Sequence, residues 1–399
     1  MKSCSRGLLF SAIVVHLPQG PLIIEIKFQY VNILHVSTAL SWRGGEQQLA
    51  NLIKANKNSC NNIVFCARGS VMQSHCEHHK ILHHTFRKRF PGLYLAASSI
   101  KKQCKRHRIS LIHCHDSHAH TIAFLSALFF GNKSPIIVHR RVDFPIGKSW
   151  LSRHKYNYKT IAGYICVSEA IRKILIKDLK HKEKAITIYS GIDFSRFDNY
   201  LNNRSQLKNE LGLAGDAILI GNTAALAPHK DYDTFIRTAH RLLLRHPDWH
   251  FVIMGDGPLR RQVENRIASL NLKKSIILTG FRNDLPALLP GLDIFLMTSK
   301  TEGLGTSLLD AFYLGIPVVA TKAGGISELV DDETTGLLAE VGDDRTLARQ
   351  VERLIMSDKL RKLVCANARK KVIHFSHTQT ANRTIQYYQD LLTKYKINQ

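Results

Sequence analysis

The chain has 399 residues, 44% of them hydrophobic and 22% charged, a length that suits two domains each with its own core. No segment stays apolar for the ~20 residues that a membrane-crossing helix needs, so no helical span is expected. The net charge of +25 is uneven: residues 1–200 carry 30 Lys and Arg against 10 Asp and Glu, and residues 201–399 carry 26 against 21.

The first thirty residues, MKSCSRGLLFSAIVVHLPQGPLIIEIKFQY, combine early positive charge with a short apolar run but show no clear small-residue cleavage site. They read as an N-terminal extension, 1–30. From Val31 onward short apolar, β-branched runs alternate with helical patterns. The first half offers VNILHVS, NIVFCAR, SLIHCHD, PIIVHRR, YICVSE and AITIYSG; the second offers AILIGNT, WHFVIMG, SIILTGF, DIFLMTS, PVVAT and GLLAEV. Most are continuous apolar runs, as parallel strands covered on both faces require. The repetition predicts the α/β class, with two Rossmann-like, doubly wound domains. The polar stretch FDNYLNNRSQLKNELGLAGD separates them, giving domains at 31–200 and 201–377 and a closing helix over 378–399 that crosses back to the first domain. Ligands of such sheets bind beyond the carboxyl ends of the strands, so the loops there are where chemistry is sought.

The basic first half calls for an anionic partner. With no arginine-rich tail, zinc-finger spacing or RNA-binding aromatic motif, a phospholipid surface or a phosphorylated substrate ranks ahead of nucleic acid. The eight cysteines include no C-x-x-C pair, and several sit inside apolar runs, which suits core residues of a reducing, cytoplasmic compartment. The stretch HCEHHKILHHTFRKRF, residues 75–90, has no metal-ligand spacing. It reads as an exposed cationic loop whose Phe86, Phe90, Arg and Lys suit an anionic bilayer surface.

In DIFLMTSKTEGLGTSLLDAF a strand ends in a turn holding Glu302, Gly303, Leu304 and Gly305, and a helix starts at about Thr306. Glycines let the backbone turn tightly, and the free N–H groups of a helix start suit a phosphate. Glu302 can accept hydrogen bonds from sugar hydroxyls. Ser307 and Asp310 have capping-box spacing, so on spacing alone Asp310 reads first as a cap of its own helix. A second glycine pair, Gly44 and Gly45, follows the first strand and opens a helix. Arg140 and Arg141 end the strand PIIVHRR, where they suit a phosphorylated acceptor or a sugar diphosphate.

These pieces together resemble the retaining glycosyltransferases of family 4, also called group 1. EGLGTSLLDA, GIPVVATKAGGISELV and TGLL carry the likeness, joined by SWRGGEQQLANLI, LIHCHDSHAH, VSEAIRKIL, IYSGIDFSRF, MGDGPLRRQVE and LTGFRNDLPALL. The resemblance implies the GT-B fold, two domains facing a cleft. It implies a metal-independent hexosyltransferase without a cofactor, using a nucleotide diphosphate sugar as co-substrate. Glu302 then holds the donor sugar, and Asp310, standing where the family has a longer Glu, binds the ribose. Leu304, Gly305 and Thr306 contact the donor through their backbone. Lys230 neutralises the diphosphate, while the family's companion Arg is replaced by Ala225. His115 hydrogen-bonds the transferred sugar, with His113 and His118 as alternatives and His113 having the parity of a core residue. Gly44 and Gly45 line the other wall, and Gly255, Phe281 and Arg282 lie on the nucleotide-side loops. The implied acceptor is a glycan or a lipid-linked molecule, such as lipopolysaccharide core, met peripherally on the cytoplasmic face of the inner membrane. Ala225 and Asp310 leave open a catalytically impaired protein that binds glycan or nucleotide.

Overall fold

The computed structural model describes residues 9–15, 23–29, 31–88, 92–147 and 149–397, with side chains from 31 to 394 within those ranges. Leu9–Val15 (β1) and Ile23–Gln29 (β2) pair antiparallel, Leu9 opposite Gln29 and Val15 opposite Ile23. The rest of the expected extension lies outside the described residues, as does Phe90.

Every β-branched run of the first half becomes a strand of one seven-stranded sheet. The strands are Val31–Ser37 (β3), Cys60–Ala67 (β4), His83–Phe86 (β5), Leu111–Cys114 (β6), Ile136–Arg140 (β7), Ile161–Cys166 (β8) and Ala185–Thr187 (β9). All neighbours are parallel and the order is β5-β4-β3-β6-β7-β8-β9. The second half builds a six-stranded parallel sheet from Leu219–Thr223 (β10), His250–Met254 (β11), Ile276–Gly280 (β12), Ile294–Met297 (β13), Val318–Thr321 (β14) and Leu337–Ala339 (β15). Its order is β12-β11-β10-β13-β14-β15. Each order reverses once, between β3 and β6 in one sheet and between β10 and β13 in the other. Loops diverge at such a point and leave a crevice at the carboxyl ends of the strands.

The chain divides into two compact units. The first ends at Val167, resumes over Arg172–Tyr189 and includes the segment from His377; the second holds Ser168–Ile171 and Ser190–Ser376. The division thus falls about ten residues before the expected 200, ahead of the polar stretch, because Phe194 and Phe197 already pack on Tyr313 and Arg196 pairs with Asp310 in the second unit. The helix His377–Ile397 lies in the first unit, where Ile385, Tyr388 and Leu392 join Val31, Ile33, Leu111, Ile137 and Ile165 in one core. Gly163 on β8 makes that docking close. A Cβ there would overlap the Tyr387 hydroxyl, which donates to the Lys184 carbonyl at 2.8 Å.

In the second unit the helix Tyr232–Leu243 shows why apolar spacing decides the fold. Tyr232, Phe235, Ile236, Ala239 and Leu242 repeat at helical period, and all are buried against Ile220, Phe251, Ile253 and Leu296. One expectation fails in the first unit. The described part of that stretch, residues 75–88, is not one exposed loop: the end of the helix Val71–His78 and the edge strand β5 lie in it, with Met72, Cys76 and Phe86 buried. Five histidines in the stretch hid the apolar positions of a short helix and an edge strand. The seven described cysteines are free thiols, six of them buried, as core cysteines should be.

Candidate active site

In the second unit the loops after β10 and β13 meet at the point where the strand order reverses. Three hydrogen bonds fasten them: Lys300 N–H donates to the His229 carbonyl at 2.8 Å, and the Thr298 hydroxyl lies 3.2 and 3.1 Å from the carbonyls of Lys230 and Asp231, to which it donates. The result brings together the two residues singled out from sequence. Lys230 Nζ forms an ion pair with Glu302 Oε2, each side chain about 15% exposed, and the Ser299 hydroxyl adds a 3.3 Å bond to the same oxygen. Asp231, next to Lys230, takes a left-handed backbone (φ 49°) that a non-glycine residue adopts only at a cost. Its carboxylate is held by the Thr234 hydroxyl at 2.7 Å and by Lys300 Nζ at 3.3 Å, which fix the turn. Ala225 places no charge in this loop.

The helix Thr306–Leu314 begins as the glycine spacing implies. Gly305 is its N-cap at φ 86°, and no side chain caps it. Leu304 is buried and Thr306 half-buried, with the Gly325 N–H bonded to the Glu302 carbonyl at 3.0 Å. A Cβ at Gly324 or Gly325 would overlap the carbonyl of Glu302 or Gly303, so these glycines serve a close backbone crossing.

Asp310 neither caps nor faces outward. It is buried and pairs with Arg196, which stacks its guanidinium over Phe197 at 4.6 Å. Burial pushes the Asp310 carboxyl up, and Arg196 pulls it back. The capping-box expectation therefore fails, and the carboxylate expected to hold a ribose is already engaged. Arg196 was missed as a partner because it lies 114 residues away on a short turn, Phe194–Phe197, and the stretch IYSGIDFSRF that holds it assigns it no role. On the remaining loops, Gly255 approaches the Ala224 carbonyl too closely for any side chain, Phe281 is 63% exposed, and Arg282 is held by Glu210 and Asp284. The Arg282 guanidinium is thus a link between its loop and the helix Gln206–Glu210 rather than an open phosphate ligand.

In the first unit the reversal lies between β3 and β6. The helix Gly44–Asn56 starts at the glycine pair, and Arg141 lies beside it: a Cβ on Gly45 would sit 3.6 Å from Arg141 Nη1, and one on Gly44 would meet nothing within 4 Å. Arg141 Nη1 donates to the His115 carbonyl at 2.9 Å, and Nη2 lies 3.2 Å from His115 Nδ1. Buried Glu46 and the Asp116 carboxylate add negative charge around this arginine, and burial holds the Glu46 carboxyl up. Burial also lowers Arg141, to about 10, still far above neutrality.

Two sequence expectations change here. Arg140 turns inward, donating to the Tyr156 hydroxyl at 2.9 Å and to the Phe144 carbonyl, so it braces the fold rather than awaiting a phosphate. His115 is buried with both ring nitrogens engaged, Nε2 facing His35 Nδ1 at 3.0 Å. Its ring offers no open nitrogen to a sugar hydroxyl; its carbonyl and Arg141 carry its influence instead. His113 is fully buried, as its parity implied, while His118 is exposed at the start of the helix Ser117–Phe130. His35 was missed because it sits inside an apolar run, and Asn62 because it stands beside Asn61 at the polar start of one.

Residues 42–196 match the family model described as Glycosyltransferase Family 4, and residues 203–371 match that described as Glycosyl transferases group 1. The chain is 26% identical over 307 residues to the Escherichia coli UDP-Gal:alpha-D-GlcNAc-diphosphoundecaprenol alpha-1,3-galactosyltransferase, spanning 74% of this chain and 79% of that protein. It is 29% identical over 215 residues to the lipopolysaccharide core biosynthesis mannosyltransferase LpsB of Rhizobium meliloti, 51% of this chain and 60% of that one. Among solved structures, Anabaena Alr3699/HepE in complex with UDP and glucose has a TM-score of 0.79 at 21% identity, over 90% of this chain and 99% of that one. That likeness is one of fold, the two-domain α/β GT-B architecture.

Proposed function

The chain belongs to the glycosyltransferases of group 1 and family 4, and from that premise we propose that it transfers a hexose, with retention and without a divalent metal, from a nucleotide diphosphate sugar to a lipid-linked or glycan acceptor. The observation that carries the reading is the Lys230–Glu302 pair at the strand-order reversal, beside the glycine-capped start of the helix Thr306–Leu314. A diphosphate competes with Glu302 for the Lys230 ammonium. Capture of Lys230 frees the carboxylate for sugar hydroxyls. As the anomeric C–O bond breaks, charge grows on the departing nucleotide diphosphate, where Lys230 and the helix N–H groups oppose it. The acceptor hydroxyl attacks the face the leaving group vacates, and its proton passes to the departing phosphate oxygen.

Uridine diphosphate sugars rank first as donors, because the names of the E. coli relative and of the Anabaena complex both include UDP. The diphosphoundecaprenol of the E. coli relative and the lipopolysaccharide core of the Rhizobium one suggest an acceptor at the cytoplasmic face of the inner membrane. Among the described residues no helix is long and apolar enough to cross a membrane. Exposed Tyr94, Leu95, Phe129 and Trp150 in the basic first unit suit a peripheral contact. Flotation with anionic vesicles at low salt tests that contact, and protein left unbound there removes it.

The main test is thermal stabilisation by UDP, GDP, ADP and CMP and by their sugar conjugates. Selective stabilisation by one nucleotide diphosphate, lost in Lys230→Ala, is expected, with Glu302→Ala losing only the increment from the sugar. Ala225 and the engaged Asp310 favour a second reading, a protein that binds glycan without transfer. Absence of any nucleotide effect would put that reading ahead.

A further inference from the structure

Four imidazoles lie together beneath the strand-order reversal of the first unit: His35 on β3, His113 at the end of β6, His115 just after it, and His139 on β7. All four are buried. One nitrogen from each of His35, His113 and His115 falls within 4.8 Å of the others, close enough to raise an ion site. The hydrogen bonds argue for a different use.

Arginine can only donate. Arg141 Nη2 lies 3.2 Å from His115 Nδ1, so that nitrogen is the acceptor, and a neutral ring then carries its proton on Nε2. That Nε2 faces His35 Nδ1 at 3.0 Å, which makes His35 Nδ1 an acceptor and places the His35 proton on Nε2. His35 Nε2 in turn lies 2.9 Å from Asn62 Oδ1, and the Asn62 amide nitrogen donates to the Cys60 carbonyl at 3.2 Å. One direction therefore runs from an obligate donor to an obligate acceptor: Arg141 to His115 to His35 to Asn62. A metal ion would need the lone pair of His115 Nε2, which this order fills with a proton. Burial keeps the rings neutral, holding His35 to about 4 and His115 well below its ordinary value. Arg141 remains the one full cation of the cluster, with its Nε buried and without a partner among the described residues.

We propose that His35 and Asn62 are positioning residues that, through His115, fix the Arg141 guanidinium under the Gly44–Gly45 turn as the cation for a diphosphate group. The proposal rests on the glycosyltransferase reading only for where the diphosphate comes from, the donor nucleotide or a lipid-linked acceptor. Asn62 and His35 touch no ligand. They remove the alternative tautomer of His115, which would turn an N–H toward Arg141 and push the guanidinium off its seat.

The first test needs no substrate. In protein labelled with 15N-histidine, long-range proton–nitrogen spectra at pH 7 should show His35 and His115 neutral and protonated on Nε2. An Nδ1–H form of His115, or stoichiometric zinc in the purified protein, overturns the proposal. The second test measures the affinities of UDP and farnesyl diphosphate for the parent, Asn62→Leu, Asn62→Asp and Arg141→Ala. Asn62→Leu should weaken one of the two ligands about tenfold, while Asn62→Asp, which still accepts from His35 Nε2, stays within about threefold. Loss confined to UDP places the donor diphosphate at Arg141, and loss confined to farnesyl diphosphate places the acceptor there. Unchanged affinity in Asn62→Leu or in Arg141→Ala overturns the positioning role, whatever reaction the protein catalyses.

Discussion

Asp310 is a buried carboxylate that desolvation drives toward protonation, a push that the Arg196 guanidinium opposes. Replacing it with Asn deletes the acceptor charge and leaves Arg196, about one third exposed, with an Nε that is already unpartnered. Solvent reaches Arg196, so the cost should fall between that of an exposed pair and that of a buried one, about 1–2 kcal/mol. We expect the Asp310→Asn midpoint in urea to fall accordingly, and the double variant Arg196→Leu/Asp310→Asn to recover at least half of the loss. UDP affinity then separates two roles. If Asp310 serves only Arg196, the double variant binds UDP as the parent does; if Asp310 also holds ribose, affinity stays low after stability returns. Sequence made Asp310 conspicuous but could not name its partner. A one-letter motif fixes a residue's own place on a helix, whereas Arg196 arrives by tertiary packing. The Lys230–Glu302 pairing, 72 residues apart, was foreseen only as two residues serving one ligand, not as partners for each other.

At the scale of elements, all twelve strands read from apolar runs are present, because continuous burial on both faces leaves little room for polar interruption. The edge strand β5 and the helix before it escaped for the converse reason. An edge needs fewer apolar residues, and HHTF carries only one that is buried. The docking of the C-terminal helix depends on a feature that sequence cannot weigh, the missing side chain of Gly163. A methyl there must displace the Tyr387 hydroxyl and its bond to Lys184. Overpacking of this kind costs about 1–3 kcal/mol. Gly163→Ala should therefore lower the first unit's melting temperature by about 5 °C. Gly44→Ala is the contrast: its methyl meets nothing within 4 Å and alanine suits a helix, so stability should change by less than about 0.5 kcal/mol. If the glycine pair leaves room for a ligand, that silent variant should still bind nucleotide diphosphate or acceptor more weakly. Calorimetry on both variants, beside ligand titrations, checks the pair of outcomes.

At the scale of the molecule, the described histidines whose protonation burial is seen to suppress belong to the first unit: His35, His113, His115, His120 and His139, with His75 and His84 less deeply set. An unfolded histidine titrates near about 6.5. Because the folded values lie lower, the native first unit binds fewer protons than its unfolded chain below that pH, and its stability falls as pH falls. The loss begins near pH 6.5 and continues to about 4, where His35 itself titrates. His35 alone accounts for about 3 kcal/mol by then, at 1.36 kcal/mol for each unit of displacement. The other deeply buried rings add to it. Free carboxylates titrate near about 4, so the histidines dominate the window from 6.5 to 4.5, and the raised carboxyls of Glu46 and Asp310 act there in the opposite sense. Tryptophan makes the two units separately visible, since Trp42 and exposed Trp150 belong to the first and buried Trp249 to the second. In a variant keeping only Trp42, the urea midpoint should drop steeply between pH 7 and 4.5. In one keeping only Trp249 it should drop much less. Parallel shifts in both would place the acid-sensitive groups elsewhere and remove the histidine cluster as their source. The uneven sequence charge points the same way: the first unit is already strongly basic, and each ring that ionises on unfolding adds to a repulsion that expansion relieves.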